Sequence, residues 1–430
     1  MPLGTSLADS RIRSRWAVAV VVTLVMAVSY IDRQTLAAIS PTVIKALSIS
    51  REQYGYLLSA FSVAYLVAAP IAGGLLDRTG ARRGLVFAVL AWSAVAAAHA
   101  LVPSFAVLIL LRLFLGTAEA PSFPGAAQTM KRILPPAERS IGIGLMFTGS
   151  SLGAMVAGPL AIQILESTGG WRFAFLGTAL LGVGWIPLWL GVTRSRVVKD
   201  ALATGTDAGN EDVRGTSLPP LALVASGPVA RALMIDFFVA PSIMFGLNWS
   251  SQYLVDAFSL SQGAVKGLIW LPPAGFDLGA IAFGALASVA DRRAARAGDG
   301  VRSHVGLMAC AAVLSSSTAI MPWVHSPWLA MSLMATSLAG GGGIFAMLTA
   351  DMLARVHPSQ VSAAGGLTAA AQSVAYIVAN PAVGRVVDRT HSFSGVLFVL
   401  GALALPAMVL WAAWPIARFP FSPSPRPDSS

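Results

Sequence analysis

The chain has 430 residues, of which 56% are hydrophobic and only 11% are charged. A soluble domain carries about 25% charged residues, so the composition excludes an ordinary water-soluble protein. A single cysteine, Cys310, excludes an internal disulfide framework and argues against a cysteine-ligated metal cluster. The formal net charge of +10 does not indicate nucleic-acid binding, because the basic residues form short clusters between apolar runs.

Apolar runs long enough to cross a bilayer recur along the whole chain. A transmembrane helix needs about 20 mostly apolar residues, and this rule predicts an all-α membrane protein with twelve transmembrane helices. The first run follows three arginines but is too long for a signal peptide, so we expect it to be retained. The predicted spans are residues 16–39, 53–76, 84–102, 104–130, 139–165, 171–193, 229–256, 261–290, 303–323, 326–354, 358–387 and 392–416.

A polar segment containing Gly, Asp and Pro interrupts the apolar runs after the sixth span and is typical of a flexible linker. Six spans precede it and six follow it. The predicted organisation is an N-terminal six-helix bundle at 1–193, a cytoplasmic linker at 194–228, a C-terminal six-helix bundle at 229–416 and a cytoplasmic tail at 417–430.

The two halves also resemble each other in sequence at one loop. Gly74-Leu-Leu-Asp77-Arg78 follows the second span, and a Gly284 to Asp291-Arg292 sequence follows the eighth, at the same position in the second half. Many transporters are built from such internal repeats, with the substrate site near the bilayer midplane between the repeats.

The distribution of Lys and Arg predicts the orientation. With both termini and the even-numbered loops in the cytoplasm, 21 of the 29 Lys and Arg residues lie on the cytoplasmic side and 6 on the outer side. An excess of basic residues on the cytoplasmic side is the usual pattern. We therefore predict a multi-pass protein of the cell inner membrane, in contact with the lipid bilayer, with both termini cytoplasmic.

Four charged residues lie inside the first and fourth spans: Asp32, Arg33, Arg112 and Glu119. A charge at the bilayer centre costs about 2.5–3.5 kcal/mol on insertion scales and is usually functional. The helical rise places Asp32 and Arg112 at one depth if their helices are neighbours. A spacing of seven puts Arg112 and Glu119 on the same helix face, so the four residues predict one buried cluster.

The chemistry of these side chains favours proton coupling together with anion binding. A carboxylate whose arginine partner moves can take up and release a proton. Arginine stays charged and can bind a carboxylate through two parallel hydrogen bonds. The alternative is a static ion-pair network that holds two helices in register, but buried pairs are poor stabilisers because desolvation offsets attraction.

Uncharged polar residues inside other spans are candidates for the remaining walls of a substrate site. They are Tyr30, Tyr65, Asn248, Gln372 and Asn380. Gln372 shares a helix face with Tyr376 at a spacing of four. Hydrogen bonding between helices is the alternative explanation for each of them.

Three further carboxylates lie within or near the spans of the second half. Asp277 follows Pro272 and Pro273, and it is either a functional group or a partner for backbone groups freed by the prolines. Asp236 and Asp351 lie near predicted cytoplasmic helix ends, so we interpret them as interfacial.

Several motifs resemble one family of membrane proteins. Two are similar to signatures of the major facilitator superfamily: Gly73-Gly74-Leu-Leu-Asp77-Arg78-Thr-Gly80-Ala-Arg82-Arg83 and Gly170-Trp171-Arg172-Phe173-Ala-Phe175. Three resemble its anion:cation symporter family: Tyr30-Ile31-Asp32-Arg33, Arg112-Leu-Phe-Leu-Gly116-Thr-Ala-Glu119-Ala120-Pro-Ser-Phe-Pro124 and Glu138-Arg139.

The resemblance implies the major facilitator fold of two six-helix bundles, alternating access, a monomer and no cofactor. In bacterial sugar-acid members of the family, carboxylates matching Asp32 and Glu119 take part in proton coupling, and the arginine matching Arg33 helps to bind the anionic substrate. The chain departs from the family in the fifth span, where Ser150 and Ser151 stand in place of an expected glutamine.

The resemblance also implies a gating role for the loop after the second span. Asp77, Arg78 and Arg82 would form a cytoplasmic latch in which the Asp77 carboxylate lies near the N-terminus of the eleventh helix. A helix N-terminus favours negative charge because of its dipole.

We therefore predict a proton-coupled symporter that imports a small organic anion. The favoured substrate class is a sugar acid such as a hexuronate, an aldonate or glucarate. Arg33 and Arg112 would bind the substrate carboxylate, and Asp32 and Glu119 would carry protons. The alternative is a proton-coupled exporter of drugs or metabolites, which the paired arginines disfavour. A membrane sensor or an enzyme is a third class, but the sequence contains no nucleophile–base pair or nucleotide-binding loop.

Overall fold

The computed structural model describes residues 4–202, 220–296, 304–357 and 360–414, and these residues are almost entirely helical. Within these ranges, eleven helical segments are long and apolar enough to cross a membrane. The predicted eleventh span is a helix of 30 residues, Val361–Thr390, but it is not among those eleven. An all-α membrane fold is therefore confirmed, whereas the count of twelve spans stays a prediction.

Most predicted spans correspond to one long helix or to two helices separated by a break. The helices in chain order are α1 (Gly4–Ala38), α2 (Ser40–Leu47), α3 (Arg51–Thr79), α4 (Ala81–Ala98), α5 (Phe105–Glu119), α6 (Ser122–Ile133), α7 (Arg139–Thr168), α8 (Trp171–Val192), α9 (Arg196–Ala201), α10 (Pro220–Val224), α11 (Gly227–Asn248), α12 (Ser250–Phe258), α13 (Gln262–Val265), α14 (Leu271–Arg296), α15 (Val305–Ser315), α16 (Pro327–Leu353), α17 (Val361–Thr390), α18 (Ser394–Ala402) and α19 (Ala404–Ala413).

The fourth predicted span is interrupted next to its buried acid. α5 ends at Glu119 and α6 begins at Ser122, with Ala120 and Pro121 between them. Proline removes a backbone donor and clashes with the preceding turn, so it breaks the hydrogen-bond ladder of a helix. The break places the Glu119 carboxylate at a helix end.

Two short helices lie inside the segment that we predicted as a flexible linker. Ser195 caps α9 by accepting a hydrogen bond from the Val198 amide at 3.3 Å, and Val198 and Leu202 are buried against the first half. Leu223 of α10 is buried against the second half. Residues 203–219, the centre of that segment, and the predicted tail at 417–430 lie outside the described residues.

Glycines allow the helices that carry the predicted charged cluster to pack closely. A Cβ atom at Gly149 or Gly153 of α7 would collide with the backbone carbonyl of Thr23 or Ala27 in α1. A Cβ atom at Gly116 of α5 would meet the backbone of α3 in the same way. Small residues at helix contacts are typical of membrane proteins, because they let backbones approach.

Three apolar cores show how the halves meet. One core consists entirely of first-half residues and includes Trp92 and Trp189; a second consists entirely of second-half residues and includes Trp411. The third is shared, and it joins side chains such as Tyr54 and Trp249 across the two halves. The halves therefore share a core in only one region of the described structure.

A set of ion pairs lies next to the shared core, at one end of the protein. We call this end the sealed end and define it by Arg51, Glu52, Asp256, Arg385 and Asp388. Arg51 pairs with Asp256 at 2.7 Å and with Asp388 at 3.7 Å, and Arg385 pairs with Glu52 at 2.7 Å. Each pair joins the first half to the second.

The opposite ends of the same helices are apart. A Cβ atom at Gly73 or Gly74 of α3, or at Gly365 or Gly366 of α17, would have nothing within 4 Å. By contrast, a Cβ atom at Gly55, near the sealed end of α3, would collide with the Asn380 backbone of α17. The structure is therefore closed at the sealed end and open at the other.

A single methyl group should disturb the packing of α14 on α16. A Cβ atom at Gly279 would collide with the Ala339 carbonyl, so we expect Gly279→Ala to lower the free energy of unfolding by about 1–3 kcal/mol. Gly284→Ala, on the same helix, is the control, because its Cβ atom would meet nothing within 4 Å and should change stability by less than about 0.5 kcal/mol. Thermal unfolding of the detergent-purified variants measures the difference; equal stability would contradict the close packing.

Candidate functional site

The Glu119 carboxylate is the centre of the predicted charged cluster. It is fully buried, and its Oε2 atom accepts hydrogen bonds from Arg33 Nη2 at 3.2 Å and from Ser29 Oγ at 2.8 Å. Ser29 lies one helical turn before Arg33 on α1, so both donors reach the same carboxylate. α1 therefore holds the end of α5 through one charged and one neutral donor.

Aromatic rings surround the Arg33 guanidinium. Its central carbon lies 4.7 Å from the Tyr30 ring centroid, 4.5 Å from that of Phe61 and 4.9 Å from that of Tyr65. A cation within about 6 Å of a ring centroid is attracted by the ring quadrupole. The Phe61 centroid also lies 4.9 Å from the guanidinium carbon of Arg112, so one ring contacts both buried arginines.

Several polar atoms of the cluster have no hydrogen-bond partner. Both carboxylate oxygens of Asp32 are unpartnered, and the residue is only 2% exposed. Oε1 of Glu119 and the Nε and Nη1 atoms of Arg112 are also buried and unpartnered. Most buried polar groups in proteins are hydrogen-bonded, so these atoms are available to a proton, a water molecule or a ligand.

The four charged residues form one cluster, but not with the pairing suggested by depth alone. Glu119 interacts electrostatically with Arg33, Arg112 and Asp32. Asp32 lies next to Thr178 of α8, whereas Arg112 lies near Tyr54 of α3. Asp32 and Arg112 therefore point to different neighbours, and Glu119 is the residue that connects them.

Tyr376 of α17 brings the second half to this cluster. It is within electrostatic range of both Tyr30 and Arg33. Gln372, one turn earlier on α17, is partly buried and lies on the same helix face. Tyr376, Phe61 and Ser29 were not among the predicted site residues, although the spacing of four between Gln372 and Tyr376 could have indicated Tyr376.

Two predicted substrate-binding residues, Asn248 and Asn380, lie in the packing near the sealed end. Asn380 is fully buried; its Oδ1 accepts a hydrogen bond from Trp249 Nε1 at 3.0 Å, and its Nδ2 donates to the Tyr376 carbonyl at 2.9 Å. The carbonyl of Asn248 accepts a hydrogen bond from the Tyr54 hydroxyl at 2.7 Å. The Asn248 carbonyl therefore connects the halves, whereas the Asn380 side chain bonds within the second half. A substrate contact by either residue stays a prediction.

The second half also places two carboxylates within its helices. Asp277 of α14 is half-buried and accepts a hydrogen bond at 2.5 Å from Ser151 of α7, which joins the two halves. Asp236 is 2% exposed within α11, and its Oδ2 is unpartnered, so the interpretation of Asp236 as interfacial was wrong. Asp351 pairs with Arg231 and Arg355 near the end of α16.

The predicted latch residues have partners within their own half. Asp77 accepts a hydrogen bond from Gln128 Nε2 at 2.7 Å, and Arg82 Nε donates to Thr193 Oγ1 at 3.1 Å. Arg78 is exposed. Asp77 is thus on the open side of the protein, and its contact with the N-terminus of α17 stays a prediction.

Comparisons with known proteins give one family match over most of the chain. Residues 22–314 match the family model described as Major Facilitator Superfamily. A solved structure of a bacterial homologue of the human lysosomal transporter Spinster, inward-facing and unoccupied, superposes with a TM-score of 0.71 at 16% identity. It covers 93% of this chain and 95% of that chain.

Relatives by sequence span nearly the whole chain. The hexuronate transporter of Escherichia coli K12 is 27% identical over 92% of this chain and 93% of its own length. The D-galactonate transporter of Escherichia coli O6:H1 is 24% identical over 91% and 94%, respectively. The probable galactarate/D-glucarate transporter GudP of Escherichia coli K12 is 25% identical over 94% of each.

The buried ion pair at the centre of the site should be strongly coupled. Arg33→Met leaves Glu119 without its arginine partner, and we expect the free energy of unfolding to fall by about 3 kcal/mol. Adding Glu119→Gln should recover part of this loss, because the unpaired charge is then gone. Arg15→Met is the control: Arg15 pairs with Glu138 at 2.6 Å where both side chains are over a quarter exposed, so its loss should cost below about 1 kcal/mol. Denaturant titration in detergent measures the wild type, both single variants, the double variant and Arg15→Met; additive effects of Arg33→Met and Glu119→Gln would contradict the coupling.

Proposed function

We propose that this chain, which belongs to the Major Facilitator Superfamily, is a proton-coupled symporter that imports a sugar acid by alternating access. We place it in the inner membrane as a monomer with both termini cytoplasmic, with bundles at 1–193 and 229–416. The family match and the transporter relatives confirm the predicted superfamily and a transporter rather than an enzyme.

The observation that carries the proposal is the incomplete bonding of a cluster with two acids and two arginines. With Asp32 and Glu119 ionised, Arg33 and Arg112 are compensated and the cluster has no net charge. When both acids take up protons, two positive charges remain in a site of low dielectric. An anion is then the favoured partner, since opposite charges attract strongly where water is excluded.

Binding of the proton and binding of the anion are therefore linked in our proposal. If protonation of the acids raises the affinity for the anion, the anion must raise the affinity for the protons by the same factor. Symport follows when the empty and the fully loaded carriers change conformation more readily than the partly loaded one. A sugar acid with one carboxylate would compensate one of these two positive charges.

Arg33 is the arginine that we assign to the substrate carboxylate. Its side chain is 20% exposed, whereas Arg112 is 1% exposed and enclosed by first-half residues. The planar guanidinium of Arg33 is held between aromatic rings, and its N–H groups can donate two parallel hydrogen bonds to a carboxylate. Arg112 would contribute its charge from a distance. Tyr376 and Gln372, on α17, would contact the substrate from the second half.

Alternating access needs a contact that closes one end while the other is open. At the sealed end, the Asp388 carboxylate of α17 accepts hydrogen bonds from the backbone amides of Arg51 at 3.1 Å and Glu52 at 2.8 Å. These amides are at the N-terminus of α3, where the helix dipole favours an anion. A carboxylate of one half thus closes the helix end of the other.

The sequence suggests that the open end closes in the same way. Asp388 belongs to Gly384-Arg-Val-Val-Asp388-Arg-Thr390, and Asp77 belongs to Gly73-Gly-Leu-Leu-Asp77-Arg-Thr79 at the other end of α3. We propose that Asp77 caps the N-terminus of α17 when the Asp388 contact opens. The predicted orientation would place the sealed end outside, so this structure would be open to the cytoplasm.

Uptake into proteoliposomes tests the proposed transport. We expect uptake of a labelled acid from a panel of glucuronate, galactonate and glucarate, increased by an inward proton gradient. Asp32→Asn and Glu119→Gln should reduce this stimulation by at least about tenfold, because each removes a proton-carrying group. Asp200→Asn, an exposed acid on α9, is the control and should behave as wild type. Uptake of no acid, with efflux of a dye or an organic cation, would favour the exporter instead.

Neutralising the sealed-end carboxylate should open that end more often. In a Cys310→Ser background, a cysteine at Ser59 reports on the closed region, because Ser59 is 6% exposed and donates to the Ile377 carbonyl across the halves. We expect Asp388→Asn to increase its labelling by an impermeant maleimide added outside about fivefold, since a charged hydrogen bond to two amides is lost. Asp200→Asn should leave the rate unchanged. Unchanged labelling in Asp388→Asn would contradict the latch.

A further inference from the structure

We infer that the substrate site selects sugar acids with one carboxylate and rejects those with two, because the wall opposite Arg33 is acidic. This inference rests on the proposed transport of sugar acids and adds which of them the protein accepts. The wall in question, which we call the acidic wall, consists of Asp236 on α11 and Asp277 on α14.

The two halves carry very different charges at mid-depth. In the described part of the second half, residues 220–296, 304–357 and 360–414, every Lys or Arg lies near or beyond a helix end. Arg231 is near the start of α11, and Arg385 is near the end of α17. The arginines within the middle of the bundle, Arg33 and Arg112, both belong to the first half. A second substrate carboxylate would therefore find no cation on the second-half side.

Asp277 lies at the level of the Arg33 cluster. Its partner Ser151 is between Gly149 and Gly153 of α7, and these two glycines pack against Thr23, Ala27 and Tyr30 of α1. Tyr30 in turn contacts the Arg33 guanidinium. Asp277 is only half-buried, and an ionisable side chain at this depth faces a protein interior or a water-filled cavity rather than lipid.

Asp236 adds a second carboxylate on the same side. It is within electrostatic range of Tyr376, and Tyr376 is within electrostatic range of Arg33 and Tyr30. Its Oδ2 atom is buried and has no hydrogen-bond partner. The second-half groups that these contacts connect to the cluster are thus a phenol and two acids, and none of them is a base.

This arrangement fits a molecule with a carboxylate at one end and hydroxyl groups at the other. Arg33 binds the carboxylate, and an ionised carboxylate such as Asp277 can only accept hydrogen bonds, as substrate hydroxyls require. In a diacid the far carboxylate would meet Asp277 instead, and two like charges repel strongly at a site with little water. Relatives named for both kinds of substrate exist, so membership of the family does not decide between them.

The test is competition against uptake of whichever labelled monoacid, glucuronate or galactonate, the purified protein carries into proteoliposomes. We expect unlabelled glucarate and galactarate to compete at least about tenfold more weakly than the unlabelled monoacid in the wild type. Asp277→Asn should narrow this ratio by at least about fivefold, chiefly through tighter diacid binding, because a neutral amide removes the repulsion without changing the size of the side chain. Asp236→Asn is a second variant and should narrow it in the same direction.

Ser151→Ala is the matched control. It removes the hydroxyl that bonds Asp277 but keeps the charge, so the preference for the monoacid should persist. If monoacids and diacids compete equally in the wild type, the inference is overturned but the proposed function stands. The same holds if Asp277→Asn changes the affinities for monoacids and diacids by the same factor. Uptake of a diacid in preference to every monoacid also overturns it. Absence of uptake of every acid in both classes overturns the proposed function and this inference with it.

Discussion

The cost of burying charge in a membrane protein governs the structure of the first half. Glu119 is fully enclosed at the end of α5, and only Arg33 and Ser29 donate to it. The break at Pro121 ends α5 at this residue, and the close packing of Gly116 on α3 fixes the position of α5. The cluster is nevertheless incompletely bonded, which a purely structural ion pair would not need to be.

The second constraint follows from the proposed alternating access: the halves would have to separate at one end without exposing a large apolar surface. Each half has its own core at the open end, and one core is shared at the sealed end. Polar contacts that include ion pairs close the sealed end, and their partners can exchange with water when the end opens. The Asp388 carboxylate on the N-terminus of α3 is the contact with the best electrostatic match, because it binds backbone amides that otherwise lack partners.

The charges are unequally divided between the halves, and this division gives each a different task in our proposal. The first half holds both arginines and both acids of the cluster, so anion binding and proton loading occur in one rigid unit. The second half contributes Tyr376 and the acidic wall, which would distinguish substrates by what lies beyond the first carboxylate.

The sequence alone was sufficient to predict that the protein lies in a membrane, that it is helical and which charged residues are buried. Hydropathy identifies spans because a bilayer forces backbone groups into helices, and Asp32, Arg33, Arg112 and Glu119 stand out because charges are costly there. These are local properties, readable from residue type and spacing.

Only the tertiary structure decided which side chains meet. Asp32 and Arg112 share a predicted depth, yet the rotation of their helices turns them to different neighbours, and rotation is set by packing such as that of Gly116 and Gly153. From its position near a predicted helix end we interpreted Asp236 as lying at the membrane interface, but the surrounding helices bury it. The Tyr54 hydroxyl reaches the Asn248 carbonyl because the halves are in contact at that level, and no pattern in one sequence indicates at which end the halves meet.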